Sequence, residues 1–345
     1  VLAIVYDPAF LEHLDVYPET GYRLEYSVSY LTESGFLTKP NVKRVPPRSY
    51  GESILRRVHS AEHVEAVREA SRWGAPVYER LPTRGNTFLC ALRAVRGAVT
   101  AASLVASGEA RSSFALIRPP GHHAEREFSM GFCYFNNAAV AVRHVQKQRM
   151  RRVFVLDIDA HHGNGTQAIF CDDPSVLVMS IHMDPSYAFP GTGTIWETGE
   201  GEGAGYNVNV PLPRGAGDDD LTWVLGEVFV PLAGEFKPDM IMVSAGFDGH
   251  KGDLLGELSY STKGFEEAAS LITNTAAEVC GGRVASFLEG GYDPPILSAC
   301  LHGFLDAMRR PKAVRASHVA RKPGDEVVET VSKLKGLLAP YWGSL

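Results

Sequence analysis

Apolar residues come in short unbroken runs, and the stretches between them carry a helical period. Leu2 to Tyr6, Ser113 to Ile117, Val153 to Asp157, Val176 to Ile181, Met240 to Ala245 and Val284 to Leu288 are rich in Val, Ile, Leu or Phe without alternation, the mark of strands buried on both faces. Between them, Ala61 to Trp73, Phe88 to Ala106, Ala138 to Gln148, Asp219 to Phe236 and Gly264 to Val279 read as helices, with Asn137 and Asp218 placed to cap two of them. This rhythm predicts an α/β chain, a mostly parallel sheet covered by helices. No repeat, low-complexity tract or linker divides residues 1–345, so one domain is expected. The stretches Glu197 to Gly205 and Pro211 to Gly217 read as surface loops.

Four of the runs end in clusters of chemically active side chains. Ser113 to Ile117 leads into Arg118, two prolines, Gly121, His122 and His123, and Val153 to Asp157 leads into Asp159 and His161. Met240 to Ala245 leads into Asp248, and Val284 to Leu288 into Glu289, two glycines and Tyr292. In an open parallel sheet the carboxyl ends of the strands share one edge, where ligands bind, so four clusters placed alike point to one site.

Asp157, Asp159 and His161 are spaced by two, so on an extended chain they share a face, with neighbours roughly 6 to 7 Å apart. Asp159, His161 and Asp248 supply two carboxylates and an imidazole, a set suited to zinc or another first-row divalent ion, with room left for water or substrate. Alone, Asp248 would read as a loop carboxylate bonded to nearby amides, and His250 is its rival within the loop. Adjacent His122 and His123 must diverge and meet separate partners, for which Asp157 and Asn164 are chosen. One imidazole would take a proton from an attacking water while the other stays oriented by a carboxylate. Tyr292, freed by Gly290 and Gly291, is placed to stabilise an oxyanion. His13, His59, His63, His144, His182, His302 and His318 read as structural or exposed.

Composition narrows the chemistry. The five cysteines form no C-x-x-C pair, so a metal must be held by Asp, Glu or His, and a reducing compartment is expected. The net charge of −6 argues against a general nucleic-acid binder, and the basic stretch from Arg309 to Lys322 reads as a solvated surface. Val1 to Tyr6 is too short for a signal-peptide core, and no apolar run approaches the roughly 20 residues of a membrane span. A cytoplasmic protein with no membrane contact is expected, with homo-oligomerisation left open.

Six ordered motifs, RPPGHHA from Arg118, GFCYFNNAAVA from Gly131, DIDAHHGNGTQ from Asp157, FPGTG from Phe189, SAGFDGHKGD from Ser244 and EGGY from Glu289, resemble the zinc-dependent histone deacetylase family. The likeness is to its class II-like branch, within the superfamily that includes acetylpolyamine amidohydrolases, and covers about residues 6–305, with 311–345 as an extension. It implies the arginase/deacetylase fold, three α/β/α layers around an eight-stranded, mostly parallel sheet. It further implies Asp159, His161 and Asp248 as ligands of one zinc per chain, Tyr292 as oxyanion donor, and His123 as general base backed by Asn164. His122, held by Asp157, would be its electrostatic partner. Gly131, Phe132 and Phe189 would line the tunnel for an acyl-lysine stem, and Arg23 would stand near the acetate exit. Structural K⁺ or Na⁺ would sit at an inner site of Asp157, Asp159, His161, Ser180 and Ile181. An outer site would use Phe170, Asp173, Val176 and Tyr206. Glu79 is the candidate for an acidic rim residue that holds a peptide backbone. Leu255 stands where the polyamine-selective branch has Glu, which weighs towards acylated lysine in peptides or proteins over small acylated amines. An arginase-like dimetal hydrolase would need more bridging carboxylates, and an acyl-lysine binding module would have no use for the full set.

Overall fold

Parallel strands cannot be joined by tight hairpins, so each buried run must be followed by a crossover. In the computed structural model, which describes residues 1–78, 81–310 and 323–345, most of those crossovers contain helices. Among the described residues, eight strands pair in parallel throughout: β1 (Leu2–Val5), β2 (Val42–Val45), β3 (Ser112–Ala115), β4 (Val153–Asp157), β5 (Val176–Met183), β6 (Asn207–Leu212), β7 (Met240–Ala245) and β8 (Val284–Leu288). The helices are α1 (Tyr22–Glu33), α2 (Ala61–Trp73), α3 (Thr87–Ala106), α4 (Asn137–Gln146), α5 (Asn164–Phe170), α6 (Asp218–Val224), α7 (Val230–Phe236), α8 (Thr262–Cys280), α9 (Pro294–Arg309) and α10 (Asp325–Leu338). One helical layer packs α9 against α8 and α1, and the other packs α3 against α4 and α2.

The strand order is β2-β1-β3-β8-β7-β4-β5-β6. The four strands whose ends carry the reactive clusters, β3, β8, β7 and β4, are therefore consecutive neighbours at the centre of the sheet. The chain runs outward from β4 to β6 and returns to β7 beside β4, and such a reversal opens a crevice at the carboxyl edge.

Six strands match the apolar runs, and two were not foreseen. β2 is VKRV with Lys43 and Arg44 exposed, an outer strand that gains little of the about 1.5–3 kcal/mol that burying an aliphatic side chain supplies. β6 is NVNVPL, in which asparagines break the apolar run, and it takes up Pro211 and Leu212 from the segment read as a loop. Pro211 is tolerated because β6 is an edge strand. Buried Val331, Leu334 and Leu338 of α10 pack in the same core, α10 lies against β6, and Trp342 Nε1 donates to Gly205 O at 2.7 Å.

Helix ends also moved. The cap of α4 is Asn136, whose Oδ1 accepts Ala139 N at 2.9 Å, and Asn137 is the first helical residue. α6 is capped from Gly217, and Asp218 instead accepts the Ser261 amide at 2.7 Å. The expected helix from Asp219 to Phe236 divides into α6, a π-turn (Leu225–Phe229) and α7, because Pro231 has no N–H with which to continue the ladder. α3 corrects the expectation about apolar length. It is 20 residues long and apolar enough over an 18-residue window to cross a membrane by length and composition, though 83% of that window is buried within the domain. Arg93 and Arg96 had broken the run.

Candidate functional site

The end of β4 does what its spacing requires. Asp157 Oδ1 accepts Asp159 N at 3.0 Å and Asp159 Oδ1 accepts His161 N at 2.9 Å, a chain of turns that aims the three side chains along one edge. From β7, Asp248 reaches over to accept Ala160 N through Oδ1 at 2.9 Å. The ligand atoms of Asp159, His161 and Asp248 all lie within 4.8 Å of one another. His161 Nδ1 is 3.2 Å from Asp159 Oδ1 and 3.0 Å from Asp248 Oδ2, so the imidazole nitrogen and both carboxylates converge. A Cβ on Gly290 would lie 2.3 Å from Asp248 Oδ2, so only glycine lets the β8 loop close over this cluster.

Two carboxylates this close and this buried demand a cation. Burial, and then the charge of Asp159, push Asp248 up to about 7. Burial opposes a charge on His161, but hydrogen bonds to Asp159 and Asp248 outweigh it and raise the imidazole to about 10. Two oxygen donors and one nitrogen, 0% to 11% exposed, fit a divalent first-row ion with an open coordination place. His250 does not join them; its Nδ1 accepts Gly252 N at 3.1 Å.

The two adjacent histidines diverge as expected. His122 Nδ1 lies 2.9 Å from Asp157 Oδ2, and His123 Nδ1 lies 2.8 Å from Asn164 Oδ1. Burial disfavours charge on both, yet Asp159 and Asp157 hold His122 well above the ordinary histidine range. For His123, burial and the charges of His122 and His161 act together and hold it well below that range. Asn164 Nδ2 donates to Glu125 Oε1 at 2.9 Å, so its Oδ1 must accept from His123, which leaves the lone pair of His123 on Nε2. Glu125 was missed in the sequence, although it follows the histidine pair by two. Glu289 was read only as part of a motif. Its buried Oε2 accepts Gly121 N at 2.7 Å and His122 N at 3.2 Å, tying β8 to the histidine loop.

A cavity of about 390 Å³ opens onto these groups, lined by His123, His161 and Tyr292 at one end, with Gly131, Phe132, Phe189 and Leu255 among its walls. The Phe189 ring meets His123 edge-on at 5.0 Å, and Phe132 stands 6.0 Å from Tyr292. Met183, Tyr187, Ala188 and Glu257 also line it and were not singled out. Met183 could have been found, since β5 runs two residues beyond Ile181. Burial, and the charges of Asp248 and Asp159, hold the Tyr292 phenol well above its ordinary value, so it keeps its proton as a donor.

Arg23 does not line the cavity among the described residues. It is 1% exposed, and its guanidinium lies 4.8 Å from the Tyr292 ring centre, bonded to Glu19, Glu289 O and Gly291 O. Asp157 and Ser180 of the inner cation set face each other in register across β4 and β5. In the outer set, Phe170 O accepts Asp173 N at 3.0 Å, Asp173 O accepts Val176 N at 3.2 Å, and Tyr206 O accepts Val178 N at 2.9 Å. His13, His59, His63 and His182 are buried, as structural histidines should be. Glu79, His318 and the basic stretch beyond Arg310 lie outside the described residues.

Known proteins resemble this chain along nearly its whole length. Residues 17–308 match the model of the histone deacetylase domain. A probable deacetylase of Archaeoglobus fulgidus is 36% identical over 99% of both chains. Histone deacetylase 10, chloroplastic, of Oryza sativa subsp. japonica is 37% identical over 96% of this chain and 79% of its own. The crystal structure of the HDA15 HD domain superposes with a TM-score of 0.89 at 32% identity, covering 99% of this chain and 95% of that one. With the family model spanning the four central strands and relatives matching nearly all of this chain, the chain belongs to the histone deacetylase family and is a deacetylase of the hydrolase class.

Proposed function

We propose that the protein hydrolyses the side-chain amide of acylated lysine in peptides or proteins, with one zinc ion held by Asp159, His161 and Asp248. The observation that carries this reading is the convergence of those three side chains with His123 and Tyr292 at the inner end of one cavity. Zinc bound there supplies Lewis acidity to the acyl carbonyl and to the attacking water. His123, neutral and with its Nε2 lone pair free, takes the proton of that water, and Asn164 with Glu125 keeps the imidazole in the required tautomer. Tyr292 donates its hydroxyl hydrogen to the developing oxyanion. His122, held charged by Asp157 and Asp159, adds positive field beneath the site. A protonated imidazole then returns a proton to the departing amine.

K⁺ or Na⁺ is assigned by the same reading to the inner and outer oxygen-rich sets. Two observations support a lysine stem in the tunnel: flanking aromatic walls at Phe132 and Phe189, and an apolar wall at Leu255. One observation favours a second reading, a small acylated polyamine. Glu257 lines the same cavity and offers a carboxylate to a further ammonium group, although that carboxylate is paired with Arg214. Side-by-side kcat/KM on an acetyl-lysine peptide and acetylputrescine decides between them. Preference for the peptide supports the first reading; preference for acetylputrescine replaces it.

Tyr292→Phe tests the oxyanion role. Turnover should fall by a factor on the order of 10² or more, as when one oxyanion donor is removed. Near wild-type turnover would remove Tyr292 from the mechanism.

Metal uptake should also displace protons. His161 is raised to about 10 in the absence of metal, so at neutral pH it carries a proton that a ligand nitrogen must lose. Zinc affinity should therefore rise about tenfold per pH unit above pH 7. The slope should steepen below pH 7, where Asp248, raised to about 7, binds a second proton. Titration in buffers of different ionisation enthalpy reads the protons released per zinc; a pH-independent affinity would contradict the assignment of His161 and Asp248 as ligands.

A further inference from the structure

Tyr292 lies in an irregular segment between β8 and α9, so its hydroxyl is only as well placed as the backbone beneath it. That backbone is held from two sides. Arg23 donates from Nη2 to Glu289 O and from Nε to Gly291 O, both at 2.6 Å. On the opposite polarity, Asp253 Oδ2 accepts the amides of Tyr292 at 2.6 Å and of Asp293 at 3.2 Å. The other oxygen, Oδ1, accepts the amide of Leu255 at 3.1 Å. Asp253 is itself placed by the loop that carries Asp248. Its amide donates to His250 O at 2.8 Å, and Gly256 packs so closely on Asp248 O that an added Cβ would come within 1.8 Å.

We propose that Asp253 is a positioning residue for the deacetylase reaction, one carboxylate that sets the backbone of Tyr292 through Oδ2 and of the cavity wall at Leu255 through Oδ1. The inference rests on the proposed role of Tyr292 as oxyanion donor. A carboxylate is required because three N–H groups converge on its two oxygens, and an amide has one acceptor oxygen and an NH₂ that would face a donor. Asp253→Asn must therefore give up either the Tyr292 and Asp293 amides or the Leu255 amide. Since charged hydrogen bonds of this kind are short and strong, losing them lets the segment shift by fractions of an ångström, which the oxyanion contact does not tolerate.

The test is a double-mutant cycle on zinc-loaded enzyme with an acetyl-lysine peptide, comparing Asp253→Asn in the wild-type and Tyr292→Phe backgrounds. In the wild-type background kcat should fall by roughly 10- to 100-fold. In the Tyr292→Phe background, where the hydroxyl is already gone, the same substitution should change kcat by less than about threefold. Equal losses in both backgrounds, or no loss in the first, would overturn the proposal. Asp253→Ser, run in the same two backgrounds, covers the case in which the Asn variant does not fold. Loss of fold or of zinc in both Asp253 variants would also overturn it, since the carboxylate would then be holding up the loop and not aiming the phenol. If Tyr292→Phe alone retains wild-type turnover, the failure lies with the oxyanion assignment instead.

Discussion

Asp248→Ala is expected to give a folded protein that neither retains a divalent metal through dialysis nor turns over an acyl amide, with activity down by on the order of 10⁴ or more. The size follows from the donor count. In the proposed site three side chains would hold the ion, and removing one leaves Asp159 and His161 from a single turn. The fold should survive, because burial and Asp159 disfavour the charged form of this carboxylate when no metal is bound. Burial and Asp159 raise it from 3.8 to about 7 in the native state, so the native state binds the extra proton. The contribution of Asp248 to the stability of the metal-free protein should accordingly fall as pH rises from about 4 to about 7, a fall that Asp248→Ala should lack. Metal analysis, acetate release and thermal unfolding read the three outcomes. A variant that keeps its zinc would shift the ligand role elsewhere.

His123→Ala should do the opposite with the metal. Zinc content should match the wild type, since His123 bonds Asn164 and no ligand atom, while turnover drops by roughly 10²- to 10⁴-fold. The sign of the pH effect follows from its environment. Burial, and after it the charge of His122, lower the pKa of His123, so the base stays neutral and competent below pH 6.5. The acidic limb of kcat/KM should therefore lie beneath the ordinary histidine range. An active His123→Ala enzyme, or one that loses its acidic limb only in His122→Ala, would move the base to His122.

The chemistry of the four central strands was legible because their side chains had no alternative. Runs such as Val153 to Leu156 have no polar face, so they must be buried on both sides, and the acids and histidines after them must sit at the sheet edge. The outer strands were not legible. β2 exposes Lys43 and Arg44, and β6 alternates Asn with Val, so neither carries the continuous apolar signal of the centre. Helix α5 (Asn164–Phe170) hid inside a motif read for chemistry, and α10 is a helix whose burial depends on β6 being there to receive it. Within the site, the spacing of Asp157, Asp159 and His161 carried the ligand cluster. Residues that act by holding others, Glu125 behind Asn164, Glu289 behind Gly121 and Asp253 behind Tyr292, leave no local pattern, because their partners are between 39 and 168 positions away. For Arg23 the resemblance implied only a place near an acetate exit; its Nη2 and Nε donate to the backbone carbonyls beneath Tyr292, a contact that only the folded chain reveals.

The most direct test is anomalous diffraction from crystals of the zinc-loaded protein, recorded on both sides of the zinc edge. One peak per chain is predicted, touched by carboxylate oxygens of Asp159 and Asp248 and by Nδ1 of His161, with the Tyr292 hydroxyl and His123 Nε2 facing its open side. A second peak bridged by Asp157 or Asp159, or a single peak bound away from Asp248, would contradict it.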